Sequence, residues 1–402
     1  METDATERQQ RFIALAAAHA EDFKTRVAQH DRENSFPFEN VDAMKASGYT
    51  AMTVPAELGG GGVNILDFIL AQERLAQGDG PTAVAINMHL LIVGIYADVW
   101  RLGDQSLRPF LESIARDRLI LAGGTNDPRM SSAIGLAGLN DTTRRAEKVP
   151  GGYRINGRAG FGTMSACADF LVETAHYDDP QKGPRCLAFV VPTKTPGITI
   201  QNNWDTMSIR ASASNDIVWE NVFVPEQDVM DRPARTMDTF TNLLLSWGVA
   251  PLDACYLGIA QAARDYAINW ARERTQVPFD RPMSHYPHNQ FLAAEMEVGL
   301  RAARAMVVQT AGGLSEAAVR ANPPLMDLIA CHQFVMETAF SVVDKAMRLV
   351  GGAALFRSSP LEQLYRDVRA AIIHQPFAGY DGRGWLGKLA FGIPPDTMPR
   401  WV

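Results

Sequence analysis

The stretch GITIQNNWDTMSIRASASNDIVWENVFVP, residues 197–225, decides the fold class. Gly197–Ile200 and Asp216–Val224 are rich in β-branched and aromatic residues, and Pro196-Gly197 sets a turn before the first of them. Upstream, Tyr153–Ile155, Phe170–Thr174 and Cys186–Val191 have the same texture, punctuated by Gly151-Gly152 and Asn156-Gly157. Short runs broken by turn residues predict a small β-domain of barrel or sandwich type over residues 121–232.

On both sides the period changes to that of a helix. Ile65, Leu66, Phe68, Ile69 and Leu75 share a helical face that begins after Asn64, a residue suited to capping. Ala83–Trp100 reads as a buried helix, and the glycines of Pro55-Ala56-Glu57-Leu58-Gly59-Gly60-Gly61-Gly62 read as a loop. After Pro233 the helical period returns. Val335, Ala339, Val343, Met347 and Val350 form the stripe of a bundle helix, stopped by Gly351-Gly352. The order predicts an α+β protein: an N-terminal helical domain (1–120), the β-domain (121–232) and a C-terminal helical bundle (233–402).

The 402 residues are 47% hydrophobic and 21% charged, which excludes disorder and leaves length for a large core. A net charge of −7 and the lack of a basic run argue against a nucleic-acid surface. No uninterrupted apolar run reaches the ~18–20 residues of a membrane span, and the charged N-terminus lacks the apolar core of a signal peptide. Cys167, Cys186, Cys255 and Cys331 are widely spaced, without C-x-x-C, so reduced thiols and a cytoplasmic setting are expected. His285 and His288 form H-x-x-H with no third ligand in view, and no metal site is expected there.

Specific residues add to this pattern. Val54-Pro55-Ala56-Glu57-Leu58-Gly59-Gly60, then Trp204-Asp205-Thr206-Met207 with Arg210, then Val222-Phe223-Val224-Pro225, and last Gly351-Gly352 with Pro360-Leu361-Glu362 and Tyr365-Arg366-Asp367, resemble in order and spacing the signatures of the acyl-CoA dehydrogenase superfamily. The resemblance covers almost the whole chain. It implies that family's fold, with a C-terminal four-helix bundle, a flavin between the β-domain and the bundle, and a homotetramer. It also implies flavin contacts from the segment holding Asn126 and Ser132, from Phe161 and Thr163 with Ser165 beside them, and from Arg274, Gly351 and Gly352. An isoalloxazine needs donors and acceptors aimed at its N5 and carbonyl edge, which a hydroxyl such as that of Thr163 supplies.

The dehydrogenases of this family remove a proton with a glutamate, and that base must be a carboxylate within reach of the substrate. Counting from Asp367 places Gln375 at the usual position, after His374, and counting back from Gly258 places Gly248 at the alternative one. Neither is a carboxylate, although Asp253 or Asp381 could serve. His374 after Arg366-Asp367 is similar to the flavin-dependent monooxygenases on this fold, the dibenzothiophene monooxygenases and the oxygenase components of two-component hydroxyphenylacetate hydroxylases. There a histidine at this position and a hydroxyl at that of Thr163 serve oxygen chemistry, and His89 is expected on the substrate side. An imidazole suits the task, since it gives and takes a proton near neutral pH.

Against the family's FAD-binding pattern, Arg274-Thr275-Gln276-Val277-Pro278-Phe279-Asp280 is two residues longer and Arg348 replaces a glutamine. FAD, FMN and reduced flavin supplied by a separate reductase therefore all stay open. The expected activity is a monooxygenase acting with O2 on a small apolar, aromatic or biosynthetic substrate. Its rivals are an acyl-thioester dehydrogenase with a relocated base and a non-catalytic flavin-binding homologue.

Overall fold

The computed structural model describes residues 7–123, 142–234, 238–374, 377 and 379–393. Helices Glu7–Phe23, Val27–Glu33, Phe38–Ser47, Ile65–Ala76, Gly80–Arg101 and Arg108–Asp117 form the N-terminal region. Asn64 starts one of them as expected: its side chain accepts the Asp67 amide at 2.8 Å while Asp67 reaches back to the Asn64 amide, a reciprocal capping box. Asp79 caps the next, accepting from the Thr82 amide at 2.9 Å, with Pro81 in the first turn where its missing N–H costs nothing. In the glycine loop Gly59 and Gly62 take φ of +87° and +62°, conformations that side chains resist.

Among the described residues eight strands follow: β1 (Leu121–Ala122), β2 (Arg145–Val149), β3 (Gly152–Gly162), β4 (Phe170–Asp179), β5 (Gly183–Pro192), β6 (Ile198–Ile200), β7 (Asn215–Pro225) and β8 (Val229–Pro233). Their order is β6-β7-β3-β2-β4-β5-β8, with β1 pairing β4 in parallel. The sheet is rolled. Phe189 of β5 and Trp219 of β7 lie four strands apart, about 19 Å if the sheet were flat, yet their rings meet edge to face at 5.6 Å. The rolled sheet closes on its own core of Ile155, Leu171, Leu187, Val191, Ile217 and Val222. β2 and β8 escape the sequence reading because their residues, RAEKV and VMDRP, lack β-branched runs.

The chain then returns to helices Thr239–Glu273, Pro287–Gly313, Leu325–Val350, Pro360–Arg369 and Gly379–Ala390. Val335, Ala339, Val343 and Val350 are buried along Leu325–Val350, which ends at Gly351 with φ +74°. These helices do not build a core of their own. One apolar core runs from Phe12, Phe23 and Phe68 in the N-terminal region to Trp247, Leu300, Val335 and Trp385. At Gly258 the Thr239–Glu273 helix packs so closely on Ile65–Ala76 that an added Cβ would strike the Glu73 carbonyl.

Gly80–Arg101 and Thr239–Glu273 are long and apolar enough to cross a membrane, which the interrupted apolar runs concealed. Their apolar windows are 83% and 89% buried within the protein, as core helices are. Between these two helices, Asp98 accepts from Trp247 Nε1 at 2.7 Å and takes both arms of Arg320, with all three side chains buried. None of Cys167, Cys186, Cys255 and Cys331 is joined in a disulfide.

Candidate active site

Two loops of the β-domain meet at the end of β3. Phe161 has φ +58° and Met164 +64°, and the facing loop has Ile209 at +52° and Ala213 at +43°. These backbones turn sharply enough to exchange hydrogen bonds: Met164 N–H donates to the Ser212 carbonyl at 3.0 Å, and Ser165 Oγ donates to the Ala213 carbonyl at 3.0 Å. The turns bring three hydroxyls into line. Thr163 Oγ1 lies 2.8 Å from Ser214 Oγ, which lies 2.8 Å from Ser212 Oγ. Each can be donor or acceptor, so the chain can reverse its direction to suit what faces Thr163. Phe161 is half exposed, its ring edge-on to Trp204 at 5.8 Å, a flat apolar surface beside the hydroxyls.

The C-terminal region is fastened to the second loop. The buried carboxylate of Asp367 accepts the Ile209 amide at 2.7 Å, and Ser208 Oγ donates to the Asp367 carbonyl at 3.2 Å. Burial raises the Asp367 carboxyl to about 7. Its neighbour Arg366 forks onto Asp31 and also binds Glu362. Thus Arg366-Asp367 joins the N-terminal region, the β-domain loop and the bundle at one point.

Seven residues on, His374 meets the Thr239–Glu273 helix. Tyr256 Oη stands 2.9 Å from His374 Nδ1, with the rings edge to face. Burial lifts the Tyr256 phenol well above its ordinary range, so it remains a donor. Desolvation first, then the charge of His332, pushes His374 down to about 4. Neutral His374 therefore accepts at Nδ1 and carries its proton on Nε2.

Other expected residues fare differently. His89 is fully buried on Gly80–Arg101; its Nε2–H donates to the Thr50 carbonyl at 2.8 Å and its Nδ1 accepts the Leu121 amide at 3.0 Å. Both ring nitrogens are spent on backbone, and burial holds it neutral, at about 4. His89 thus ties the turn at Thr50 to β1, a correction to its expected place on the substrate side. Arg274 is exposed and lies over the Trp270 ring at 4.5 Å, Arg348 pairs with Asp344 at 2.8 Å, and Gly351 and Gly352 are exposed at the end of their helix. Asn126, Ser132, Gln375 and the Asp381 side chain lie outside the described residues.

Asp253 is not free to act alone. Fully buried, it binds His332 Nδ1 at 2.6 Å and accepts from the Cys331 thiol at 3.7 Å. Gly248, the other candidate base position, is buried, and among the described residues an added Cβ there meets no atom within 4 Å. The sequence reading missed Tyr256, Ser212, Ser214 and His332. The i, i+3 spacing of Asp253 and Tyr256, two polar residues on one apolar helix, is the signal that could have found Tyr256.

This three-part fold, helices then a rolled sheet then helices, is shared with flavin-dependent oxidoreductases. Residues 6–116 match the family described as acyl-CoA dehydrogenase, N-terminal domain, and residues 252–378 match acyl-CoA dehydrogenase, C-terminal domain. The chain belongs to the acyl-CoA dehydrogenase family. It is 33% identical to the putative acyl-CoA dehydrogenase YdbM of Bacillus subtilis, over 92% of this chain and 94% of that one. It is 31% identical to the amino sugar nitrososynthase DnmZ of Streptomyces peucetius, over 95% and 93%. Among solved structures, KijD3 in complex with FMN and a dTDP-linked amino sugar superposes with a TM-score of 0.87 at 27% identity, covering 99% of this chain and 97% of that one.

Proposed function

We propose that the protein is a monooxygenase that uses reduced flavin and O2 on a small apolar, aromatic or biosynthetic molecule. The observation that carries this reading is His374, held by Tyr256 with its proton on Nε2, one residue before a glutamine where the dehydrogenases carry their carboxylate. Gly248 removes the alternative carboxylate and leaves open space among the described residues.

The residues present fit a flavin: reversible hydroxyls at Thr163 and Ser214, and the flat Phe161–Trp204 pair beside them. Bound and reduced, the flavin would supply the electrons that activate O2, one oxygen atom going to substrate and the other to water. Thr163, Ser165 and Phe161 would hold it from the β-domain. His374 would donate a hydrogen bond from Nε2–H to the oxygen, the proton staying on the ring, while Tyr256 keeps the imidazole in that tautomer.

FMN is favoured over FAD, because Arg348 replaces the glutamine of the FAD pattern and is already paired with Asp344. KijD3 binds FMN in its complex, in keeping with this. A separate reductase would supply the reduced form. Exposed Val277, Phe279, Leu355 and Phe356 lie near Arg274 and Gly351-Gly352 in sequence and suit burial in a homotetramer. The nitroso product named for DnmZ contains a nitrogen–oxygen bond, so an amine-bearing biosynthetic intermediate is one substrate class to try first.

A second reading, acyl-thioester dehydrogenation, draws on the likeness to YdbM. It needs a base other than Gln375 or Gly248, and Asp253 is taken by His332 and Cys331. The deciding experiment is anaerobic reduction of the flavin-loaded protein with short-chain and branched acyl-CoA. Bleaching at the rate of ordinary family members supports the dehydrogenase. No bleaching, with oxygen-dependent product formation from chemically reduced flavin, supports the monooxygenase.

A further inference from the structure

The helix Pro287–Gly313 carries two apolar faces, where a helix on the surface of a lone molecule needs one. Met296, Leu300, Ala303, Val307 and Ala311 are buried in the core. On the other side Phe291, Ala294, Val298, Ala302 and Ala305 are exposed, Phe291 by 71% and Val298 by 68%. Phe291, Val298 and Ala305 stand seven residues apart with Ala294 and Ala302 between them, the spacing of a helix–helix seam. Beside this stripe an open groove of about 640 Å³ runs between Pro287–Gly313 and Leu325–Val350, lined by Val298, Gly299, Phe334, Thr338 and Val342.

The order of residues along the stripe says what fits it. Laid antiparallel on a copy of itself about a two-fold axis at Val298, the helix matches positions equally far from that residue. Val298 then meets Val298, and Ala294 meets Ala302. Phe291, the bulkiest residue of the stripe, meets Ala305, one of the smallest. Glu295 meets Arg301, opposite charges on exposed side chains, once on each side of the axis. Each already has a partner on its own chain, Lys345 for Glu295 and Glu297 for Arg301, so the contact joins these pairs into a network. The neighbouring helix completes the fit. Glu295 reaches Lys345 at 3.6 Å, and an added Cβ on Gly299 would lie 3.1 Å from Thr338, so the two helices run antiparallel and Ala305 stands level with Phe334. Phe291 of a second copy therefore falls beside Phe334, itself 44% exposed, and the two rings cover one another.

We propose that this face binds a second copy of the chain, through antiparallel pairing of the two Pro287–Gly313 helices with the two-fold axis at Val298. Large against small and acid against base, both about one position, is what a self-complementary surface requires. An unrelated helix would have no reason to share that symmetry. The proposal deepens the homotetramer reading, which drew on Val277, Phe279, Leu355 and Phe356, by naming a different contact and its register. It makes no use of the flavin chemistry.

The test is oxidative cross-linking of the full chain, with wild type as the control for its own cysteines. Val298→Cys lies on the axis and should cross-link to itself, giving a species of twice the chain mass on a non-reducing gel. Ala294→Cys alone should not, because its two copies would lie about 12 Å apart at 1.5 Å per residue. Ala294→Cys and Ala302→Cys in one chain should cross-link, since each then meets the other across the axis. Light scattering gives a second readout. Val298→Lys sets like charges face to face and should raise the Kd of association roughly tenfold or more. Glu295→Arg and Arg301→Glu should each weaken association, and the two together should restore it. A monomeric wild type, or self-cross-linking of Ala294→Cys, overturns the proposal. An oligomer in which Val298→Cys stays uncross-linked overturns it too, while leaving the homotetramer to be held by other faces. If Val298→Lys fails to fold, the cysteine variants decide.

Discussion

Tyr256 Oη lies 2.9 Å from His374 Nδ1, and with the phenol as donor the imidazole carries its proton on Nε2. The phenol cannot reverse the bond by ionising, because burial raises it well above its ordinary range.

Tyr256→Phe keeps the ring and its edge-to-face contact and deletes the donor. A single hydrogen bond contributes about 0.5–1.5 kcal/mol, so the melting temperature should fall by only a few degrees. Product formation from reduced flavin and oxygen should fall roughly tenfold as His374 samples the wrong tautomer. Coupled oxygen consumption measures it: uncoupled loss of reducing equivalents should rise as product falls. Unchanged coupling would detach Tyr256 from the chemistry.

Thr163→Val should be tolerated by the β3 end, since it keeps the β-branched shape. It removes the first hydroxyl of the Thr163–Ser214–Ser212 chain. Flavin affinity and coupling should weaken by about 1–3 kcal/mol, one to two decades, with a much smaller change in melting temperature. Ser214→Ala should have a weaker effect of the same kind, because Thr163 keeps its own hydroxyl. Titration of each variant with FMN by fluorescence quenching reads the difference.

The fold was legible where one signal sufficed. Asn64, the Val335–Val350 stripe and the turns flanking β3 to β7 each read correctly because local chemistry dictates them. The shared core of the two helical regions was not, because no local pattern says that Phe68 will meet Trp247. Of the site, His374 stood out through the missing glutamate, but its tautomer depends on Tyr256, 118 residues away. His89 misled for the same reason: a histidine on a core helix looks alike in sequence whether its nitrogens face substrate or, as here, the Thr50 and Leu121 backbone.

His89→Gln tests this tie. Glutamine keeps a donor for Thr50 and loses the acceptor for the Leu121 amide, at a cost of about 1–3 kcal/mol. The pH trend follows from burial, which depresses His89 from 6.5 to about 4. Its stabilising contribution is complete above pH 6.5 and is lost as pH falls toward 4. The gap in melting temperature between wild type and variant should therefore be largest near pH 7 and narrow below pH 6. Asp367→Asn should show the opposite trend. The Asp367 carboxyl is raised to about 7, so its contribution is complete below the ordinary carboxylate range and lost as pH rises through 7. The variant should gain on wild type above neutrality.

Asp98→Asn cuts the tie between the Gly80–Arg101 helix and the bundle. Arg320 would stay buried without a counter-charge, and breaking such a pair costs about 3–5 kcal/mol. Chemical denaturation should show that loss as a lower midpoint with the slope preserved, and Asp98→Glu should not rescue it in so tight a site. A loss under about 1 kcal/mol would mean that the close packing of Gly94 on the Trp247 ring carries the junction without the charge pair.

The measurement that bears most directly on the monooxygenase reading is stopped-flow mixing of the protein, loaded anaerobically with reduced FMN, against oxygenated buffer. The expected result is reoxidation in at least two phases, with a transient absorbing species whose decay speeds up roughly tenfold or more in His374→Asn. Single-phase reoxidation at the rate of free flavin, unchanged by His374→Asn, together with flavin bleaching by an acyl-CoA under nitrogen, would contradict it and return the protein to the dehydrogenases.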